Sequence, residues 1–128
     1  MTTELTLLLW STGLYALYIG VQSTLYRMQH GVEFAATGRD DEPKPNAMNQ
    51  RAEKALRNLQ ETYPVFLALA VVAALGRGDE LSVWGSVIYL VARVVYLPLY
   101  VLGVKYIRSL VWTIAMVGLI VMVVGVAF

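Results

Sequence analysis

Apolar residues fill four long stretches of this chain, and three polar segments separate them. The stretches Leu5–Tyr26 and Ser109–Phe128 contain no charged residue. A membrane-spanning helix needs roughly 20 mainly apolar residues, because it rises about 1.5 Å per residue across a hydrocarbon core about 30 Å thick. Only helices and closed barrels satisfy the backbone in lipid, and these stretches lack the alternating pattern of barrel strands. The pattern therefore predicts an all-α integral membrane protein with spans at about residues 5–27, 52–75, 81–104 and 107–128.

The connections between these spans predict how the helices are arranged. The segments Gly76–Glu80 and Gly103–Arg108 are short, so consecutive helices should pack antiparallel, up and down, as a four-helix bundle in one domain of residues 1–128. The first connection, about residues 30–50, is longer and hydrophilic, and Pro43 and Pro45 argue against a regular helix through its middle. This segment is either a solvated linker or a lid over a site.

Composition and charge exclude several classes of function. The chain is 58% hydrophobic and only 15% charged, whereas soluble domains carry about 25% charged residues. A net charge of +1 gives no indication of nucleic-acid binding. The chain has no cysteine, which excludes disulfides and a cysteine nucleophile, and the single His30 argues against a metal site. Any thiol chemistry must therefore use a thiol that a ligand supplies.

The distribution of basic residues predicts the orientation in the membrane. Lysine and arginine are concentrated around the first and third connections, while the second connection carries only Arg77. Cytoplasmic loops are enriched in these residues. We therefore expect connections one and three to face the cytoplasm and both termini to lie on the opposite side. The first stretch lacks the basic start of a secretory signal, so we expect it to remain as a span.

The second span opens with the charged stretch RAEKALRNLQETYP, Arg51–Pro64. At about 100° per residue, the side chains of Arg51, Lys54, Asn58 and Glu61 share one stripe about 80° wide. An ionised group at mid-membrane depth costs at least about 2.5–3.5 kcal/mol. This stripe must therefore face protein, water or a polar ligand rather than lipid.

The third span has a polar face of its own, made by Tyr89, Arg93, Tyr96 and Tyr100. Arg93 is the only charge in the middle of that span, and we predict Glu61 as its ionic partner. Arg108 then opens the fourth span on the same side of the membrane. Together these residues predict a polar pocket, open to the cytoplasm, that suits a small and multiply charged ligand.

Each of these residues also has a simpler, structural interpretation. Glu61 and Arg93 would then only fasten two helices together, and the tyrosines would belong to the aromatic belt at the membrane surface. Arg108 would anchor a helix end by extending its charge to water. Arg51 and Lys54 would be ordinary cytoplasmic-side positive charges, and Arg27 would only end the first helix.

Two stretches of the chain resemble the MAPEG family, the membrane-associated proteins in eicosanoid and glutathione metabolism. The stretch RAEKALRNLQETYPVF, Arg51–Phe66, resembles the family's second-helix signature. Two residues depart from the pattern: Lys54 stands where it usually has arginine, and Leu56 where members with glutathione activity often have a polar residue. The stretch Ala92–Trp112 resembles the end of the third helix and the start of the fourth. The residues that carry the resemblance are Arg51, Ala55, Asn58, Glu61 and Pro64 in the first stretch and Arg93, Tyr96, Tyr100, Gly103 and Arg108 in the second.

The chain resembles the small bacterial members of the family most closely, which implies a bacterial inner membrane. The resemblance also implies a homotrimer that uses glutathione as co-substrate, bound between subunits at the cytoplasmic side. It implies that Arg108 lies beside the thiol and favours the thiolate, which makes Arg108 the catalytic residue. The implied partners are membrane lipid and a small apolar electrophile or lipid hydroperoxide, with no metal and no nucleic acid. The implied glutathione-binding residues are Arg27, Arg51, Lys54, Asn58, Glu61, Arg93, Tyr96 and Tyr100.

Three functions follow from the sequence. The first is a glutathione-dependent membrane transferase or peroxidase. The second is a non-catalytic lipid- or thiol-binding scaffold of the same fold. The third, a small proton-coupled exporter, is disfavoured because such proteins generally need a carboxylate deep in the membrane, and the first span has none between Leu5 and Tyr26.

Overall fold

The computed structural model describes residues 1–128 as four long helices, one short helix and a π-helical turn. All four long helices are long and apolar enough to cross a membrane, as predicted. In chain order the elements are α1 (Thr3–His30), α2 (Val32–Ala35), α3 (Ala47–Val72), the π-helical turn Ala73–Arg77, α4 (Glu80–Val101) and α5 (Ile107–Ala127).

Side-chain contacts show that consecutive long helices run antiparallel. The Tyr63 hydroxyl of α3 lies 2.9 Å from that of Ser11 near the start of α1, while Asn49 at the start of α3 contacts Gln29 at the end of α1. Between α3 and α4, the Thr62 and Tyr89 hydroxyls lie 2.9 Å apart, and Arg51 near the start of α3 donates to the Val101 carbonyl at the end of α4. The bundle is therefore up-and-down, with the first and third connections at one end.

Close backbone packing joins α4 to α5. A Cβ atom on Gly85 would lie 2.6 Å from the carbonyl oxygen of Gly118 and 2.7 Å from the Met122 side chain. Small residues in membrane helices allow this approach, and van der Waals contact then replaces the hydrophobic effect as the source of helix association. These two helices form the most extensive contact in the bundle.

Capping residues explain where the helices begin and end. The Asn46 side chain accepts a hydrogen bond from the Asn49 amide at 2.9 Å, so α3 begins at Ala47 rather than near residue 52 as predicted. At the end of α4, Gly103 has φ +75 and the Val104 amide donates to the Leu99 carbonyl at 2.9 Å. This left-handed glycine cap ends α4 at Val101, three residues before the predicted end.

The first connection is more ordered than a solvated linker. It contains helix α2, and the Tyr26 hydroxyl donates to the Glu42 carboxylate at 2.6 Å. The Arg39 guanidinium lies 4.3 Å from the centre of the Tyr26 ring. The Gln29 side chain accepts from the Asn46 amide at 2.7 Å. The connection is thus fastened to the end of α1 by polar contacts.

Candidate functional site

A polar pocket of about 420 Å³ opens at the end of the bundle where α4 meets α5. Four predicted site residues lie in it: α3 contributes Asn58, α4 contributes Tyr96 and Tyr100, and α5 contributes Arg108. The antiparallel course of α3 and α4 explains this meeting, because it brings the start of α3 to the level of the end of α4. The lining is completed by Ser109, Trp112 and Thr113.

Arg108 is held over an aromatic ring at the edge of this pocket. Its guanidinium carbon lies 4.4 Å from the centre of the Tyr100 ring, and Tyr100 packs edge-on against Tyr96 with ring centres 5.5 Å apart. A guanidinium over an aromatic face is attracted to the ring and keeps its N–H groups free at its edge. The arrangement therefore presents a fixed cation to the pocket.

A strained turn sets the start of α5 just before Arg108. Tyr106 has φ 64 and ψ −56, and the Ile107 amide donates to the Lys105 carbonyl at 2.7 Å. These features define a γ-turn with positive φ, a rare and strained conformation. The Tyr106 side chain itself is 86% exposed. The turn thus fixes the direction in which α5, and with it Arg108, leaves the connection.

Arg93 supports the pocket from behind and is fully buried, with 0% exposure. Its Nη1 donates to the Asn58 side-chain oxygen at 3.0 Å, and its guanidinium lies 4.5 Å from the centre of the Tyr96 ring. Its Nε and Nη2 atoms have no hydrogen-bond partner. The Tyr18 hydroxyl donates to the Arg93 carbonyl at 2.6 Å. Arg93 therefore ties α1, α3 and α4 together and orients both Asn58 and Tyr96.

The predicted Glu61–Arg93 ion pair is wrong. The amide of Asn58, not the carboxylate of Glu61, accepts from Arg93, and Glu61 is exposed on the outside of the bundle. The Thr62–Tyr89 contact explains this result, because it places Arg93 one turn away, level with Asn58. A buried guanidinium is thus left with a neutral partner.

The other predicted ligands lie outside this pocket within one chain. The Arg51 Nε donates to the Val101 carbonyl at 2.8 Å, so Arg51 caps the end of α4. The exposed Arg27 donates from Nη1 to the Ser23 carbonyl at 3.3 Å within its own helix. Lys54 and Glu61 lie on the exposed face of α3. Tyr89, predicted on the polar face of α4, is buried against Phe66 with ring centres 4.8 Å apart.

Sequence reasoning missed Trp112 and Thr113 as lining residues. Both lie one turn beyond Arg108 and Ser109 on α5, so helical spacing from Arg108 would have found them. The Thr113 hydroxyl donates to the Ser109 carbonyl at 2.9 Å. The chain also contains no cluster of three or more His, Cys, Asp or Glu side chains that could hold a metal ion.

Fold and site together define a four-helix integral membrane protein with a cationic, aromatic pocket at one end. A comparison with protein families matches residues 5–128 to the MAPEG family. The match covers essentially the whole chain, so the chain belongs to the MAPEG family, which is associated with glutathione and eicosanoid metabolism. Comparisons with curated proteins and with solved structures give no match.

Proposed function

We propose that this protein is a glutathione-dependent membrane transferase or peroxidase. The observation that carries the proposal is the Arg108 guanidinium, stacked on Tyr100 at 4.4 Å beside a pocket of about 420 Å³. Family membership supports glutathione as the co-substrate. The apolar second substrate would be an electrophile or a lipid hydroperoxide that reaches the pocket from the membrane.

The side chains of the pocket match the groups of glutathione. Glutathione is a tripeptide with two carboxylates, an ammonium group, two amides and a thiol. Arg108 offers guanidinium donors, the Tyr96 and Tyr100 hydroxyls can donate or accept, and Asn58 keeps its side-chain N–H₂ free while its oxygen accepts from Arg93. The orientation of Asn58 by Arg93 would therefore direct amide donors toward the ligand.

Arg108 is proposed to act on the thiol. A free thiol has a pKa of about 8.5, so only about 3% is ionised at pH 7. A guanidinium within about 4–6 Å favours the thiolate, and a pKa near 7 would make about half of it ionised. In conjugation, the sulfur attacks the electrophilic carbon and the leaving group departs with the electrons of the broken bond. With a hydroperoxide, the sulfur takes the terminal oxygen and an alcohol leaves; a second glutathione then forms the disulfide and water.

An assembly of three subunits is proposed from the exposed charges of α3. Lys54, Arg57 and Glu61 lie exposed on a helix that is long and apolar enough to span the membrane. Ionised groups on such a helix almost always face protein or water rather than lipid. In the proposed homotrimer this face turns toward neighbouring copies, where Lys54 and Glu61 can reach a ligand in the pocket of the next subunit. Arg27 and Arg51 are retained as proposed contributors to that binding.

The pocket is proposed to open to the cytoplasm of a bacterial inner membrane. Both connections at the pocket end carry the clustered basic residues, including Lys44 in the first and Lys105 in the third. Both termini then lie on the opposite side. Cytoplasmic glutathione would have direct access to Arg108 in this orientation.

The proposal is tested with the full chain purified in detergent, by calorimetry with glutathione and by turnover of chlorodinitrobenzene. We expect saturable glutathione binding and conjugation in the wild type, with Arg108→Ala about ten-fold slower at pH 7 and saturating glutathione. Trp84→Phe, far along α4 from the pocket, is the matched control and should be unchanged. Glutathione binding without turnover of any electrophile would favour the non-catalytic scaffold, and the absence of binding in a folded trimer would refute both glutathione roles.

A further inference from the structure

A second polar pocket lies between α1 and α3, apart from the proposed glutathione site. It has a volume of about 430 Å³ and shares no lining residue with the pocket of Asn58 and Arg108. Tyr15, which lines it, is near the middle of α1, a helix long and apolar enough to cross a membrane. Its lining residues are Tyr15, Gln60, Tyr63, Pro64 and Leu67.

Two stacked tyrosine rings, those of Tyr15 and Tyr63, line this pocket. Tyr15 and Tyr63 stack with ring centres 5.1 Å apart and an angle of 27° between their planes. The Ser11 hydroxyl donates to the Leu8 carbonyl at 2.5 Å, so in its 2.9 Å contact with Tyr63 it accepts the tyrosine proton. Tyr63 is thereby fixed in place, and its ring supports that of Tyr15. Tyr63 stacks with Phe66 on its other side, so Tyr15 is the end of the stack and is the ring that a planar aromatic ligand could meet by offset stacking.

The same pocket holds hydrogen-bonding groups that the chain leaves available. The Gln60 Nε2 donates to the Tyr15 hydroxyl oxygen at 2.9 Å, which leaves the Tyr15 proton and a second Gln60 N–H for another acceptor. The Gln60 side-chain oxygen remains an acceptor. Because Pro64 has no N–H, the main-chain carbonyl of Gln60 lacks the usual helical hydrogen bond from the residue four positions on. Tyr15 and Gln60, both lining residues of the pocket, thus retain hydrogen-bonding groups that a ligand could use.

We propose that this pocket binds a lipid-soluble benzoquinone or its hydroquinone. A quinone carbonyl accepts from the Tyr15 hydroxyl and the Gln60 amide, while a hydroquinone hydroxyl donates to the Gln60 oxygens. The ring stacks on Tyr15, which Tyr63 supports from behind, and Pro64 and Leu67 contact its apolar edge. The volume lies in the usual range of small-molecule sites, about 300–1,000 Å³.

The test uses the whole protein in phosphatidylcholine nanodiscs and a benzoquinone that carries one isoprenyl unit. Binding is measured by equilibrium dialysis, with empty nanodiscs subtracting partition into lipid. An alkylbenzene of the same size but without oxygen is the matched probe. The chain has no cysteine, so the quinone cannot form an adduct with a protein thiol.

We expect saturable quinone binding that is tighter than binding of the oxygen-free probe. Tyr15→Phe keeps the ring stack and removes one hydroxyl, and should weaken binding about five-fold; Gln60→Leu should weaken it about ten-fold or more. Tyr100→Phe, in the other pocket, should leave quinone binding unchanged, and helical content and subunit number are recorded for every variant. Equal binding of both probes, or quinone binding that ignores Tyr15→Phe and Gln60→Leu, would overturn the assignment. A third outcome would also overturn the assignment: the wild type shows no saturable quinone binding, and Tyr15→Phe and Gln60→Leu lose subunit association. That result would show that a neighbouring copy of the chain fills the pocket.

Discussion

The buried Arg93–Asn58 contact makes the substitution Asn58→Leu a direct test of the bundle. Leucine removes the acceptor of the 3.0 Å hydrogen bond from a guanidinium with 0% exposure, whose Nε and Nη2 already lack partners. A hydrogen bond to a charged group contributes about 1.5–3 kcal/mol, and an uncompensated buried charge costs about 3–5 kcal/mol. Tyr96 still covers the guanidinium at 4.5 Å, so we expect Asn58→Leu to lower the free energy of unfolding by about 2–3 kcal/mol, toward the lower end of these two estimates.

The assay is thermal unfolding of the purified protein in one detergent, followed by circular dichroism. A loss of about 2–3 kcal/mol should lower the Tm by roughly 8–12 °C for a chain of this size. Asn58→Asp places a carboxylate opposite Arg93 and should keep or raise the Tm. The double variant Asn58→Leu with Arg93→Met removes the buried charge along with its partner and should recover most of the loss. A Tm for Asn58→Leu equal to that of the wild type would refute the buried contact.

Three further predictions concern catalysis and packing. The rate deficit of Arg108→Ala should shrink from about ten-fold at pH 7 toward none near pH 9.5, because the thiol with its ordinary pKa is then ionised without help; a deficit constant with pH would contradict thiolate stabilisation. Gly85→Ala should lower the free energy of unfolding by more than about 1 kcal/mol, since its Cβ would lie 2.6 Å from the Gly118 carbonyl oxygen, whereas Gly20→Ala has nothing within 4 Å and should be neutral or slightly stabilising; equal Tm values for the two variants would count against the close packing. Tyr18→Phe should cost about 1 kcal/mol through the lost 2.6 Å hydrogen bond to the Arg93 carbonyl, measured as a Tm decrease of about 4 °C, and an unchanged Tm would argue that this bond is absent.

The four spans were predictable because stretches of about 20 mainly apolar residues expose too much apolar surface for a water-soluble fold to cover. Their ends were less predictable, because they depend on local caps: Asn46 starts α3 early and Gly103 stops α4 early. A hydrophobicity pattern changes gradually at such points, while a cap acts at a single residue. The sequence therefore located each helix to within a few residues.

The sequence predicted four of the residues that line the pocket, but it did not predict which side chains contact each other. A helical wheel gives angles around one helix, and it placed Asn58 and Glu61 on the same stripe. It contains no information on how far α3 slides along α4, and this offset decides that Arg93 meets Asn58. The same offset places Arg51 at the last carbonyl of α4. Axial register between helices arises from packing of the whole interface, which single-helix reasoning does not describe.

Two features of Tyr106 favour different residues at this position: its backbone conformation favours glycine, and its exposed ring favours an aromatic side chain. Its positive φ of 64 is a backbone state that suits glycine, and a side chain there costs on the order of 1–3 kcal/mol. Its 86% exposed ring, at the end of a membrane helix, is of the kind that anchors a protein at the boundary between lipid headgroups and acyl chains. Glycine at this position would relieve the backbone strain but would remove the aromatic side chain. Residue 106 therefore links the depth of α4 and α5 in the bilayer to the direction in which Arg108 points.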